Sequence, residues 1–540
     1  MPQKESLVKL AIIFFCGCTF LSCSVARNGI ELSRLVTYES PKKVVIKGDI
    51  DLMGKTIIFP EGCSLVFKKG SISNGNLKFA SNRIKGNVRF INCNYSGTID
   101  IKQIDDRCFT SSDDDGALKF LLTNALLNGS KCDFYRDYSI DMNAAPAGLV
   151  SIKEIDSGAD ITFHDCTIYN TTAFKNRTIR PVLIFTNVKN VTIRNCSFHD
   201  TDEHNSHVFA KSAGCCFLRC YGDCESINLL NCSQENGDSF LRSGVYTHNH
   251  LLPENTPTVG LSNSTIKVKG LNVGYGLALY CGDNLDIDID VSSPHRGFYC
   301  SGVSNSKIIY KGYNPIETKC HILIMDAVYK RFDDHGNIVL DMKGCHDLII
   351  KAELDEALPN ESIISFQTYG SDDSNGTDFS FRTEKCYHNN IDFSAVIRQI
   401  PETGYFFISR FGTGNKEKEL SEITECFASG IHLHDVRCLE GRARPYMCYV
   451  ASGIDAEIFV NNCSVTTYNA EKNYGYDYYI KGNSKGKVHI GNTMMGSVLV
   501  RDKQVGEFDV IIEGVPMTRS LNYTNDNSSR RLVRIIQCVQ

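Results

Sequence analysis

From Val36 onward the chain alternates apolar and polar positions in short runs, broken by Gly, Asn, Asp and Ser. That period of two predicts strands. KVVIKG (Lys43–Gly48), KTIIFP (Lys55–Pro60), CSLVFKKG (Cys63–Gly70) and GNVRFINC (Gly86–Cys93) set the pattern. From residue 187 the runs become self-similar. NVTIRNC (Asn190–Cys196) is answered by SINLLNC (Ser226–Cys232), STIKVKG (Ser264–Gly270), LDIDIDV (Leu285–Val291), SKIIYKG (Ser306–Gly312), DLIIKAE (Asp347–Glu353) and NNIDFSA (Asn389–Ala395). IHLHDV (Ile431–Val436), EIFVNNC (Glu457–Cys463), KVHIGN (Lys487–Asn492) and FDVIIEG (Phe508–Gly514) continue the series. The spacing is about 20–29 residues or about twice that. One short strand per repeat cannot bury its own apolar face, so the repeats must stack. Hairpins would need Asn-Gly or Asp-Gly turns between strands, and a propeller would need a longer, more regular repeat. The pattern therefore predicts an all-β parallel solenoid.

One segment departs from period two. In SSDDDGALKFLLTNAL (Ser111–Leu126), Ala117, Leu118, Leu121, Leu122, Ala125 and Leu126 form a helical stripe. Ser112 stands at the expected N-cap, with Asp115 in reach of a capping-box exchange. Asp113–Asp115 would then meet the positive end of the helix, and Asn128-Gly129 supplies the stop. A calcium loop is excluded: with Gly116 at the loop glycine, Leu122 falls where a bidentate carboxylate is required.

Composition adds a compartment. Lys4 and Lys9 precede an apolar run, Leu10–Ser22, too short to span a bilayer but of signal-peptide length. It ends in Phe20-Leu21-Ser22-Cys23, which resembles the lipobox of bacterial lipoproteins, with Phe20 in place of the preferred Leu. That resemblance implies lipidation at Cys23 and an exported, outer-membrane-anchored protein at the cell surface or in the periplasm. The expected membrane contact is the lipid anchor alone. Of 24 cysteines, removing Cys16, Cys18 and Cys23 leaves an odd number, and most of the rest read as small buried hydrophobes. Cys215-Cys216-x3-Cys220-x3-Cys224 lacks the paired spacing of common zinc sites. A net charge of −5 with both signs interspersed excludes a nucleic-acid partner.

Ser112–Ile140, SDDDGALKFLLTNALLNGSKCDFYRDYSI, resembles the opening segment of pectate-lyase-superfamily proteins with a pectin-lyase-like right-handed parallel β-helix. Ser112–Leu118 is similar to the family's Thr-Asp-Asp-Thr-x-Ala-Ile helix start. Phe134-Tyr135 and Tyr138-Ser139-Ile140 match its strand and tyrosine turn. Upstream, Arg107–Ser111 replaces the family's glycine-rich lead-in. The resemblance implies that the helix caps a coil stack and that the partner is a polysaccharide. The organisation expected is a signal peptide (1–22), an N-terminal β-rich segment (23–104) and a capping helix with its following strand (105–143). The main solenoid (144–514) and a C-terminal tail (515–540) complete it.

Family members that cleave polysaccharide are lyases with an Arg or Lys base and often calcium, or polygalacturonase-type hydrolases. Asn236-Gly237-Asp238-Ser239 is similar to the hydrolases' Gly-Asp-Asp but lacks the second Asp, and no Gly-His-Gly follows. No catalytic residue carries over. Registering the repeats gives an independent argument, because turns after equivalent strands share one edge. That edge gathers Asp202, Glu203, His204 and His207, then Asp238, Arg242 and His248, then His295 and Arg296, then Tyr313 and Lys319. Asp238 can be an acid, a base or a calcium ligand. Arg296 or Lys319 can act as a lyase base or neutralise a uronate, with His295 beside them. His204 and His207 can bind metal or shuttle protons. Asp202, Glu203, Arg242, His248 and Tyr313 would contact substrate. The leading expectation is a lyase or glycoside hydrolase on an acidic glycan; the alternative is a non-catalytic glycan-binding or adhesive surface protein. Convergence of Asp238, His204 and Arg296 in one groove favours the enzyme.

Overall fold

The alternating runs become strands, and each pairs in parallel with the matching run of the next repeat. The computed structural model describes residues 23–36, 42–174, 178–204, 214–244 and 260–313, and a series of strands between 317 and 538. The protein is an all-β parallel solenoid. Its two units are Met1–Tyr138 with Ala159–His164, and Ser139–Gly158 with Asp165–Gln540.

In the first unit, Cys23–Ala26, Lys43–Ile46, Ser64–Phe67 and Ile72–Gly86 pair in that order, all parallel. Phe90–Asp100 adds to Ile72–Gly86. Val44, Leu65, Leu77 and Phe90 have no solvent exposure. The helix Asp114–Asn128 closes this stack. Its N-cap is Asp113, not Ser112: the Asp113 carboxylate accepts the Gly116 N–H at 3.0 Å, and Ser111 Oγ accepts the Asp113 N–H at 3.0 Å. The chain thus enters the helix one residue later than the capping-box pattern suggests. Gly129 ends it in the left-handed region (φ 58°).

What makes the helix a cap is buried Asn124. Its Oδ1 accepts the Ile99 N–H at 2.8 Å, and its Nδ2 reaches the Gly97 carbonyl. Asn128 Nδ2 donates to Ile99 O. These side chains satisfy edge groups of Phe90–Asp100 that would otherwise be orphaned. Phe120 stacks on Tyr95 at 5.1 Å. The aspartate run is used up locally, since Asp114 pairs with Arg136 at 2.8 Å. The tyrosine turn has its own anchor: Asp106 accepts the Tyr135 and Arg136 N–H groups and the Tyr138 hydroxyl. Burial pushes the Asp106 carboxyl up, against those bonds.

In the second unit the repeats align as the sequence pattern requires. Val191 faces Ile227, and one column runs Leu229, Ile266, Ile287, Ile308, Ile350. The backbone register continues through Ile391, Ile431, Ile458, Val488 and Val510. Val533–Cys538, inside the expected tail, pairs with Phe508–Glu513 as one more strand. An antiparallel pair, Ala327–Phe332 with Ile338–Lys343, is inserted where the spacing doubles after Gly312. Corners use asparagine in the left-handed region: Asn195 (φ 55°) and Asn231 (φ 57°) stack through a 2.9 Å side-chain bond. Every cysteine whose side chain is described is a free thiol, and all but Cys108 are buried. No helix among the described residues is long and apolar enough to cross a membrane.

Asn124→Ala should cost on the order of 2–3 kcal/mol, because it strands the Ile99 N–H in the interior. Urea unfolding followed by circular dichroism measures it; an unchanged midpoint would refute the capping role of Asn124.

Candidate functional site

The repeat turns stack at one corner through the main chain. Gly237 N–H donates to His204 O (3.0 Å), Gly274 N–H to Gly237 O (2.8 Å) and Arg296 N–H to Gly274 O (2.9 Å). A second column joins Asp200 to Glu235, Asn236 to Leu271, Asn272 to Ser292 and Ser293 to Tyr313. His204, Asp238, His295, Arg296 and Tyr313 therefore occupy successive levels of one corner.

The Asp238 and His204 side chains are buried, whereas His295, Arg296 and Tyr313 reach solvent. Asp238 is fully buried and held by Arg242: Nη2 donates to Oδ1 at 2.7 Å, Nε donates to Oδ2, and Ser239 Oγ donates to Oδ2 at 3.0 Å. Burial works against the charged Arg242 guanidinium, but Asp238 more than offsets it and holds Arg242 above its ordinary range. Arg242 also lies over the Tyr275 ring, 4.7 Å from its centroid. Arg296, partly exposed, donates to the Tyr275 hydroxyl at 3.3 Å and sits over the same ring. Asp238 is thus the counter-ion of a buried arginine, with three acceptor positions filled and no solvent exposure.

His204 is equally committed. The Phe174 N–H donates to Nε2 (3.2 Å), so the ring proton sits on Nδ1 and faces Asp200 Oδ2 at 2.9 Å. Asp200 also accepts from Asn170 (2.6 Å), Thr201 N (2.9 Å) and Cys215 N (2.7 Å). Burial raises the Asp200 carboxyl, but the His204 bond and the other donors outweigh it and keep it below the ordinary range. Asp200, His204 and Cys215 offer three metal-ligand types within 4.8 Å. However, the Phe174 bond leaves His204 no lone pair turned toward the other two. As it stands the cluster is a hydrogen-bonded staple, and a metal there would have to displace the Asp200–His204 or Phe174–His204 bond. Its Asp/His/Cys donor set is also wrong for calcium.

The other expected residues are scattered in exposure. Asp202 and Glu203 are exposed, Asp202 accepting from Asn236 at 3.1 Å. Tyr313 is 41% exposed and His295 is partly exposed. Lys319 lies on Glu317–Met325, its side chain outside the described residues, as are His207 and His248. The Cys23 backbone opens the first strand, paired with Lys43. A recess bordered by Lys307, Lys351 and His432 is no cleft, because Asn390–Ile397 pairs between its walls.

Sequence reasoning missed Tyr275, Arg219 and Tyr221. The signal for Arg219 was the tripeptide Phe217-Leu218-Arg219, repeated as Phe240-Leu241-Arg242. The chain matches no protein-family model and no curated protein.

Asp238→Ala leaves a buried arginine unpaired and should cost about 3–5 kcal/mol. The double variant Asp238→Ala/Arg242→Met should recover most of that loss. Thermal unfolding measures both; a fully stable Asp238→Ala would return Asp238 to the list of available acids.

Proposed function

We propose that this protein is an exported β-solenoid that engages an acidic polysaccharide along the corner built from its repeat turns. The observation that supports this is Arg296, partly exposed and 3.3 Å from the Tyr275 hydroxyl, with Tyr313, 41% exposed, on the next coil. Tyr313 offers an aromatic face to a sugar in a chain without Trp. Guanidinium groups suit carboxylates through paired N–H donors.

Binding is favoured over hydrolysis. Glycoside hydrolysis needs two carboxyl groups free to reach the scissile bond, and Asp238 is spent on Arg242. A lyase is the second reading, supported by Arg296 and the Tyr275 hydroxyl lying 3.3 Å apart as a cationic group beside a proton donor. A panel of uronate and neutral polysaccharides decides. Retention on uronate gels without new reducing ends or unsaturated products is expected. Unsaturated products lost in Arg296→Ala would establish the lyase, and no retention by any member would refute the proposal.

Export and anchoring at Cys23 belong to the same reading and rest on the leader pattern. Cys23→Ser should move the protein from the detergent phase to the aqueous phase on Triton X-114 partitioning. An unchanged distribution would refute lipidation there.

A further inference from the structure

The strands Gly214–Tyr221 and Ser239–Ser243 carry the same tripeptide in register. Leu218 faces Leu241 and Arg219 faces Arg242, while the Phe217 and Phe240 rings stack at 4.7 Å. Side chains facing each other across a parallel pair are about 5 Å apart at their origins, so two guanidinium-bearing residues are neighbours on one face. Like charges so placed repel. Only one of them is compensated: Asp238 gives both its oxygens to Arg242. Arg219 has no hydrogen-bond or ion-pair partner among the described residues, and its Nε is buried without an acceptor. Its guanidinium lies over the Tyr221 ring, 4.7 Å from the centroid. Arg219 is partly exposed, so its remaining donors can be reached from solvent.

We infer that Arg219 is an anion-recognition residue that takes a carboxylate or sulfate group of a sugar, with Tyr221 as the adjoining aromatic face. An anion from solvent would meet the remaining donors of this guanidinium, whose charge no carboxylate among the described residues neutralises, and would offset the repulsion from Arg242. Asp238 then has a defined purpose: it fixes Arg242 in place and leaves the second positive charge for the ligand. The sugar part of this inference rests on the proposed polysaccharide reading; the anion part does not.

The test uses the full-length chain in detergent and two small probes, galacturonate and inorganic sulfate, with galactose as neutral control. Arg219→Met keeps an apolar stem and removes the charge that lies over Tyr221. Galacturonate, sulfate or both should raise the melting midpoint of the parent, while galactose does not, and Arg219→Met should abolish most of the shift. A larger shift with galacturonate assigns the site to carboxylates; a larger shift with sulfate assigns it to sulfate esters. Dissociation constants from the same titrations should weaken about 10- to 100-fold in the variant, the range for a lost charge-assisted bond. Equal shifts in parent and variant, or none in the parent, would overturn the inference. Failure of polysaccharide retention with intact anion shifts would instead count against the polysaccharide reading alone.

Discussion

Every coil of this solenoid depends on the next one for its main-chain partners. An isolated strand of six or seven residues leaves donors and acceptors open on both sides, and burying them unpaired would cost more than packing returns. Strands meet that demand by parallel pairing. Corners are harder, because the chain must turn while each level still bonds to its neighbours. The ladder from His204 through Gly237 and Gly274 to Arg296 is the solution here. It needs glycine at specific points: Gly237 has φ 79°, and a Cβ there would meet Asp200 Oδ2 at 2.5 Å. The open edge in the first unit is managed by other means, with Asn124 and Asn128 of the helix bonding to Gly97 and Ile99.

This constraint decides what the polar corner residues do. Asp200 and Asp238 are both fully buried, and a buried carboxylate must be paired or hydrogen-bonded. Asp200 collects His204, Asn170, Thr201 and Cys215; Asp238 collects Arg242 and Ser239. Asp200 has four acceptor positions filled and Asp238 three, both without solvent exposure. The proposed recognition therefore uses groups that solvent reaches: Arg219, Arg296 and Tyr313.

The fold was legible because its signal is redundant. Equivalent apolar residues from Ile193 to Val510 fall into register, and the Asn195–Asn231 ladder sits where Asn precedes Cys in two repeats. The helix was legible from its stripe, while its N-cap is Asp113, one residue later than Ser112, with the carboxylate accepting the Gly116 N–H. The site was only half legible. Repeat spacing brings Asp238, Arg296 and Tyr313 to one corner, but spacing says nothing about burial. The sequence does not show that Asp238 is paired, because an acid and an arginine four residues apart can equally be separate surface groups; only the fold turns Arg242 onto it. Arg219 stands among four cysteines, and only the register of the two Phe-Leu-Arg strands sets it beside Arg242.

The claim on which the rest depends is that the corner turns form one continuous main-chain ladder. Hydrogen–deuterium exchange read by mass spectrometry tests it directly. Peptides holding the Gly237, Asp238, Gly274, Tyr275 and Arg296 amides should exchange as slowly as the flanking strand Leu261–Leu271. Exchange of those corner amides at the rate of an open loop, with the strands still protected, would contradict the account.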